Sequence, residues 1–177
     1  MKVMSNNENP LLIAALDYAS KGWKVFPVYE PLPDGSCSCL KSECKHVGKH
    51  PRTSHGFKDA TTDTVTIQEW WSSWPDANIG IATGSLSGIV VVDVDGDNGG
   101  FVTWNELKST LGDIKTLTSN TGDGFHLFFI CPEDIDLKSE SNAIGHGIDI
   151  KAEGGYVVAP PSLHETGVRY TWEADVE

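Results

Sequence analysis

Apolar and polar positions in this chain follow a helical period at the start and a strand-like period for most of the rest. Between Asn9 and Gly22, Leu12, Ala15, Leu16 and Ala19 recur at helical spacing. Asn9 is a capping residue, Pro10 suits a first turn and Gly22 is a stop, so a helix is predicted over 9–22. Trp23 to Tyr29 predicts a strand, with Pro27 placing it at an edge or a bulge. Thr66-x-x-Glu69 has the form of a capping box that opens a short helix through Trp70 and Trp71, closed by Trp74-Pro75. Asn78 to Ala82 is the next strand, ending at Thr83-Gly84. Gly88 to Val94 is an apolar, largely β-branched run that suits a central strand buried on both faces. A turn at 97–100 leads into a helix over roughly 101–111, stopped by Gly112. Strands are expected at about 115–119, 125–130, 147–151, 155–159 and 168–172. Many strands, few helices and hairpin-like spacing late in the chain predict an α+β sheet protein.

Residues 30–60 break this pattern. They hold Pro31, Pro33, Gly35, three cysteines and the histidines His46, His50 and His55, with hardly an aliphatic side chain. Such a segment needs something other than a core to order it. Cys37-x-Cys39-x4-Cys44, with His46 and His50, offers five soft or borderline ligands, and zinc takes four in a tetrahedron. A structural Zn²⁺ bound by Cys37, Cys39, Cys44 and one histidine is expected, and the spacing leaves His46 and His50 both open as the fourth ligand. Cys131 stands apart as an ordinary strand residue.

The length of 177 residues fits one domain over 1–177, with the zinc-binding loop at about 35–52, and is enough for a core without disulfides. No apolar run approaches the ~20 residues that span a bilayer. Met1 to Pro10 lacks an apolar signal core, so a cytoplasmic location without membrane partners is expected. The net charge of −12 argues against broad nonspecific binding to nucleic acid. The cysteine loop is the exception. Lys41, Lys45, Lys49, Arg52 and Lys58 against Glu43 give +4 within 41–58, which leaves −16 elsewhere. That charge fits either a solvated loop or a knuckle that touches template or nucleotide phosphates. Trp70, Trp71 and Trp74 fit either core packing or base stacking.

The chemistry concentrates at the end of the apolar run. Asp93 and Asp95 are two residues apart in a strand, so both point to one face. Two close carboxylates repel unless protonated or bound to a cation, and Mg²⁺ or Mn²⁺ answers that need; a solvated strand-end turn is the simpler alternative. His126 is the one polar side chain in the strand after Thr121-Gly122-Asp123-Gly124, which is also compatible with an ordinary core or edge histidine. Asp149 lies between Ile148 and Ile150 and faces away from them. Polar groups from three strands on one sheet face would suit two-metal phosphoryl or nucleotidyl transfer.

An ordered set of motifs runs through the chain. It comprises Gly48-Lys49-His50-Pro51-Arg52, Gly56 to Thr62, Trp70-Trp71, Asn78 to Gly84, Val91 to Asp95, Gly124 to Phe129, Gly147 to Lys151 and Gly154 to Ser162. Over about residues 10–172 this set resembles the bifunctional primase–polymerase domain of the archaeo-eukaryotic primase superfamily, found in plasmid, phage and prophage replication proteins. The resemblance implies a primase-polymerase fold, with an RRM-like catalytic sheet, a second packed α/β unit and, here, a small zinc-binding insertion. It implies a template-directed nucleotidyltransferase, a DNA polymerase that could also act as a DNA primase, using two Mg²⁺ or Mn²⁺ ions in the replication of a mobile element. Asp93, Asp95 and Asp149 match the metal-binding acids and His126 the nucleotide-binding histidine. Family members rich in cysteine carry Gly-Lys-His-Pro, which favours His50 as the zinc ligand and leaves His46 as the alternative. Gly124 and Phe125 stand where many members have a small polar residue or Arg, so Lys49 and Lys151 are the available phosphate cations. Ser162 is a further candidate substrate contact. The implied partners are a single-stranded DNA template, dNTPs or NTPs, and a helicase domain in the same parent chain. Two rivals remain: a Toprim-like metal-dependent nuclease or topoisomerase module, with Glu30 as its only candidate glutamate, and a non-catalytic zinc nucleic-acid-binding module.

Overall fold

The computed structural model describes residues 9–174; the first eight and last three residues of the expected 1–177 domain lie outside them. The first helix, α1, spans Pro10–Ser20, and the Asn9 side chain accepts a hydrogen bond from the Leu11 N–H at 2.9 Å, as its capping chemistry predicts. Strand β1 is Val25–Val28 and helix α2 is Thr64–Ser73. The α2 cap differs from expectation. Asp63 accepts from the Thr66 N–H at 2.8 Å, so the helix starts two residues before Thr66, which lies in its first turn. Strands β2 (Asn78–Ala82) and β3 (Ile89–Asp95) follow, then helix α3 (Gly100–Leu111). The remaining strands are β4 (Thr118–Asn120), β5 (Gly124–Ile130), β6 (Glu140–Gly145), β7 (Ile148–Lys151), β8 (Tyr156–Ala159) and β9 (Thr171–Trp172). Among them β6 was not expected: its sequence is polar and mostly exposed, and it pairs only with β7 through an irregular register.

The strands form two antiparallel sheets, accompanied among the described residues by three α-helices. The smaller sheet has the order β1-β2-β8. Its β1, which carries Pro27, is an edge strand, and the cysteine loop runs along its outer side with Arg52 N–H donating to the Pro27 carbonyl at 2.9 Å. The larger sheet has the order β6-β7-β3-β5-β4-β9, so β3 is held between β7 and β5.

The two faces of β3 have different fates, as its 2-residue period requires. Val94 joins Leu127 of β5 and Ile148 of β7, and α3 packs on this face through Trp104 and Leu107. On the other face, Ile89 and Val91 join Phe128 in the main core with Leu11, Ala15 and Tyr18 of α1, Ile67 and Trp71 of α2, and Ile79 and Ile81 of β2. This core ties both sheets and two helices together. Trp71 is 2% exposed and donates from Nε1 to the Ala77 carbonyl, so it serves packing, not base stacking. Trp74 instead receives the Arg52 guanidinium, 5.5 Å from its ring centre. Among the described residues, no helix is long and apolar enough to cross a membrane.

Candidate functional site

The core-facing side of β3 continues beyond Val91 to Asp93 and Asp95, where it turns from apolar to acidic. Register fixes the neighbours. Asp93 is directly opposite His126 of β5 on one side and Asp149 of β7 on the other, and Val91 is opposite Lys151. Residues directly opposite share a sheet face, so Asp93, Asp95, His126, Asp149 and Lys151 all belong to one face. His126 Nε2 lies 3.4 Å from Asp93 Oδ1, and Lys151 Nζ lies 3.8 Å from Asp93 Oδ2 and 2.8 Å from Asp149 Oδ2. Burial alone would push the Asp93 carboxyl up. His126, Lys151 and Lys49 outweigh burial and hold it below the usual aspartate value, so Asp93 is an anion at neutral pH.

This face forms one wall of a cavity of about 390 Å³. Asp93, Asp95, His126 and Lys151 line it; the cysteine loop contributes His46, Lys49 and His50, and Tyr156 to Val158 of β8 close the far side. The cavity thus sits where the large sheet, the small sheet and the loop meet. Asp149 shares the face but does not line the cavity. Its carboxylate accepts from the Asn142 N–H at 2.9 Å as well as from Lys151. Ser162 is also away from the lining. It is fully buried, and its hydroxyl accepts from the Ile79 N–H at 2.8 Å, so it holds β2 in place and the expected substrate contact is corrected to a structural one. Lys49 Nζ reaches the cavity and lies 3.5 Å from Glu165 Oε1, an exposed and therefore weak pair.

The loop residues Cys37, Cys39, Cys44 and His50 converge. Their four ligand atoms lie within 4.8 Å of one another, and His50 Nε2 is 3.4 Å from Cys37 Sγ and 3.5 Å from Cys44 Sγ. Three sulfurs and one imidazole nitrogen at this spacing could hold zinc. Burial, helped by Lys41, His46 and Arg52, keeps His50 below the usual histidine value, and burial pushes the Cys37 thiol up to about 11. A neutral imidazole is the form that ligates, and a metal would displace the Cys37 proton. His46 is outside the cluster and faces the cavity.

The loop is also pinned by ordinary protein contacts, which the sequence did not suggest. Buried Asn78 donates from Nδ2 to the Gly48 carbonyl at 3.0 Å, and Tyr156 donates its hydroxyl to the Lys49 carbonyl at 2.8 Å. The Tyr29 N–H donates to the His50 carbonyl, and Tyr29 stacks on the His50 ring at 4.6 Å. Arg52 sits 4.4 Å above the Tyr29 ring and bonds Glu30 at 2.8 Å. Glu30 is therefore committed to Arg52 and does not line the cavity beside Asp93.

Among the further cavity-lining residues that motif spacing did not single out are Asp123, Tyr156 and Tyr170. Asp123 lies inside the Gly-rich turn Thr121-Gly122-Asp123-Gly124, where an acid beside glycine is an ordinary turn residue. Tyr156 and Tyr170 look like strand residues until the sheets are docked. Over residues 15–177 the chain matches the family model for the N-terminal region of bifunctional DNA primase/polymerases. None of the curated proteins compared matches the chain.

Proposed function

The chain belongs to the bifunctional DNA primase/polymerase family, and from that premise we propose that it is a template-directed DNA polymerase, able also to act as a DNA primase, in the replication of a mobile element such as a plasmid or phage. Membership makes it a primase/polymerase-type nucleotidyltransferase, metal-dependent, acting on a DNA template and nucleotides. The observation that carries the finer reading is the Asp93 face. An anionic aspartate, a second one two residues on, a histidine and a lysine converge on a cavity large enough for a nucleotide's charged end.

In this reading Asp93 and Asp95, with Asp149 behind them, are the carboxylates that hold two Mg²⁺ or Mn²⁺ ions. The hard oxygens of this donor set fit such ions. The ions, when bound, would activate the 3′-hydroxyl and neutralise the triphosphate. Lys151 keeps a positive charge between Asp93 and Asp149, which lets two acids stand opposite each other, and it is near enough to exchange an aspartate for a phosphate. Lys49 brings a second cation from the opposite wall, and His126, its Nδ1 buried and unpartnered, orients the nucleotide. Cys37, Cys39, Cys44 and His50 hold a structural zinc that shapes the loop wall. The six-stranded sheet takes the part of the RRM-like catalytic sheet, and β1-β2-β8 with α1 and α2 that of the second α/β unit. Nucleotides are held through phosphates and metal, so the four dNTPs bind within about tenfold of one another, roughly 1.4 kcal/mol. The template is single-stranded DNA, and a helicase domain in the parent chain is the natural partner. A Toprim-like site would need Glu30 beside the aspartates, where Arg52 holds it instead.

Primer extension on a primed single-stranded template, with and without Mg²⁺ or Mn²⁺, tests this. Metal-dependent incorporation templated by all four bases is expected. Metal-dependent cleavage of the DNA without incorporation, or DNA binding with neither, would replace the reading with a nuclease or a binding module.

A further inference from the structure

Asp123 is a carboxylate on the cavity wall that the metal-and-phosphate reading does not use. It lies in the turn between β4 and β5, and its carbonyl accepts from the Gly96 N–H at 2.9 Å, which fixes the turn against the end of β3. Asp123 Oδ1 accepts from the Thr121 hydroxyl at 3.1 Å; among the described residues no hydrogen bond reaches Oδ2, and the side chain remains 22% exposed.

Behind Asp123 stands His164, which is 2% exposed. The Thr166 N–H donates to His164 Nδ1 at 3.3 Å, and the Thr166 hydroxyl, 2.9 Å from the same nitrogen, is placed to donate to it as well. An Nδ1 that accepts leaves the neutral ring's proton on Nε2. That Nε2 points at Asp123 Oδ1 from 3.5 Å and has no hydrogen-bond partner. A buried N–H without a partner is costly unless a small shift closes the contact, and binding of a ligand at Asp123 would supply that shift. The turn is shaped for this imidazole: a Cβ on Gly122 would lie 2.1 Å from His164 Nδ1. Tyr170, also on the cavity, has its ring centre 6.1 Å from that of His126 and 5.7 Å from that of His164. Two imidazole–carboxylate pairs, Asp93 with His126 and Asp123 with His164, therefore flank one tyrosine.

A carboxylate with a free oxygen repels phosphate and accepts from an uncharged donor. Base edges differ among the four nucleotides, so a fixed acceptor for them would spoil templated selection. The donor shared by every nucleotide that leaves an extendable end is the sugar 3′-hydroxyl. We propose that Asp123 accepts the 3′-hydroxyl of the incoming nucleoside triphosphate and that His164 is the residue that positions it. This rests on the nucleotide-binding reading above and adds a check on the sugar.

Titration calorimetry with Mn²⁺ and dATP, ddATP or ATP tests the assignment in the wild type, Asp123→Ala, Asp123→Asn and His164→Gln. The wild type should bind dATP at least roughly tenfold more tightly than ddATP, as a hydrogen bond to a charged group implies. Asp123→Ala should erase that preference by weakening dATP while leaving ddATP within about twofold. Asp123→Asn, which keeps the shape and a neutral acceptor, should retain part of it and guards against a folding defect in the alanine variant. His164→Gln should lower the preference without changing ddATP. An unchanged dATP-to-ddATP ratio in Asp123→Ala, or an equal loss on both, overturns the proposal. So does a change confined to ATP against dATP, which would mean the 2′-hydroxyl. A wild type that shows the 3′ preference but incorporates nothing would sink the polymerase reading and leave this one standing; failure to bind any nucleotide sinks both.

Discussion

Two regions of this chain present metal-type ligands, and they are built in opposite ways. The Cys37, Cys39, Cys44 and His50 atoms already lie within 4.8 Å of one another. Among the described residues that is the one group so tightly gathered; the carboxylates of Asp93, Asp95 and Asp149 share a face without closing to that spacing. The reason is charge. Thiols and a neutral imidazole can approach one another, and burial keeps the Cys37 thiol protonated and His50 neutral. Aspartates cannot crowd together without cations, and here Lys151 and His126 are interleaved among them. A full tetrahedron suits a metal that stays and holds shape. An open set of anions with exchangeable partners suits ions that arrive with a substrate.

The largest effect should come from the open set. Asp93→Ala should abolish metal-dependent nucleotide incorporation, because a carboxylate that would hold the ions is gone. Its melting temperature should fall only modestly, since the His126 and Lys151 contacts of the charge are lost together with the repulsion from the facing Asp149; a melt run beside the extension assay checks both. A large loss of stability would show that Asp93 is a fold residue and erase the contrast.

The closed set should respond the other way. Stripping zinc with a chelator should loosen residues 37–47, seen as fast amide exchange, with a fall in melting temperature of no more than roughly 5 °C. The Arg52 amide should stay protected, because it donates to the Pro27 carbonyl of β1 and the Arg52–Glu30 pair holds that residue without metal. Purified protein with no zinc would remove the distinction at its root.

A smaller effect separates the buried imidazole behind Asp123 from both sets. Burial, then Lys49, hold His164 below the usual value of 6.5, against the pull of Asp123, Glu165 and Asp97. The unfolded chain thus takes up this proton at higher pH than the folded one. Its contribution to stability is whole above 6.5 and is lost as pH falls through the lower folded value. Melts from about pH 8 to about pH 4 should show that slope in the wild type and a shallower one in His164→Gln. The smallest effect is expected at Cys131, just past β5, whose sulfur is not part of the cluster. Cys131→Ser should leave zinc content and incorporation unchanged; any loss of zinc would redraw the ligand set.

Much of this was legible in the residue order because strong local signals agreed with the tertiary result. Asn9 and Pro10 start α1, Pro27 marks an edge strand, and the run from Ile89 to Val94 is the strand with neighbours on both sides. The two-residue offset of Asp93 and Asp95 gave their common face, and the cross-strand register supplied His126 and Asp149 opposite Asp93. What escaped was set by tertiary contacts. Strand β6 has no apolar face, so nothing in its residues announces pairing with β7. Asp63 and Thr66 are both fair caps by residue type, and in the fold it is the Asp63 side chain that takes the Thr66 N–H. His46 and His50 were equivalent by spacing until Tyr29 stacked on His50. Asp123 and His164 are 41 positions apart and meet only because Gly122 leaves room for the ring. Ser162 looked like a substrate hydroxyl, and a buried backbone N–H on β2 claimed it.

The passage of one β3 face from Val91 to Asp93 has a consequence for how this domain can change over generations. The acids ride on the strand whose backbone is bonded on both sides and whose apolar half anchors the main core. Amides there should open only with the whole domain, so the chemistry cannot be retuned by bending its own support. Novelty has to enter through the other walls: the cysteine loop and the β4–β5 turn. Descendants of this sequence should therefore diverge in what they admit to the cavity long before they diverge in what is done there.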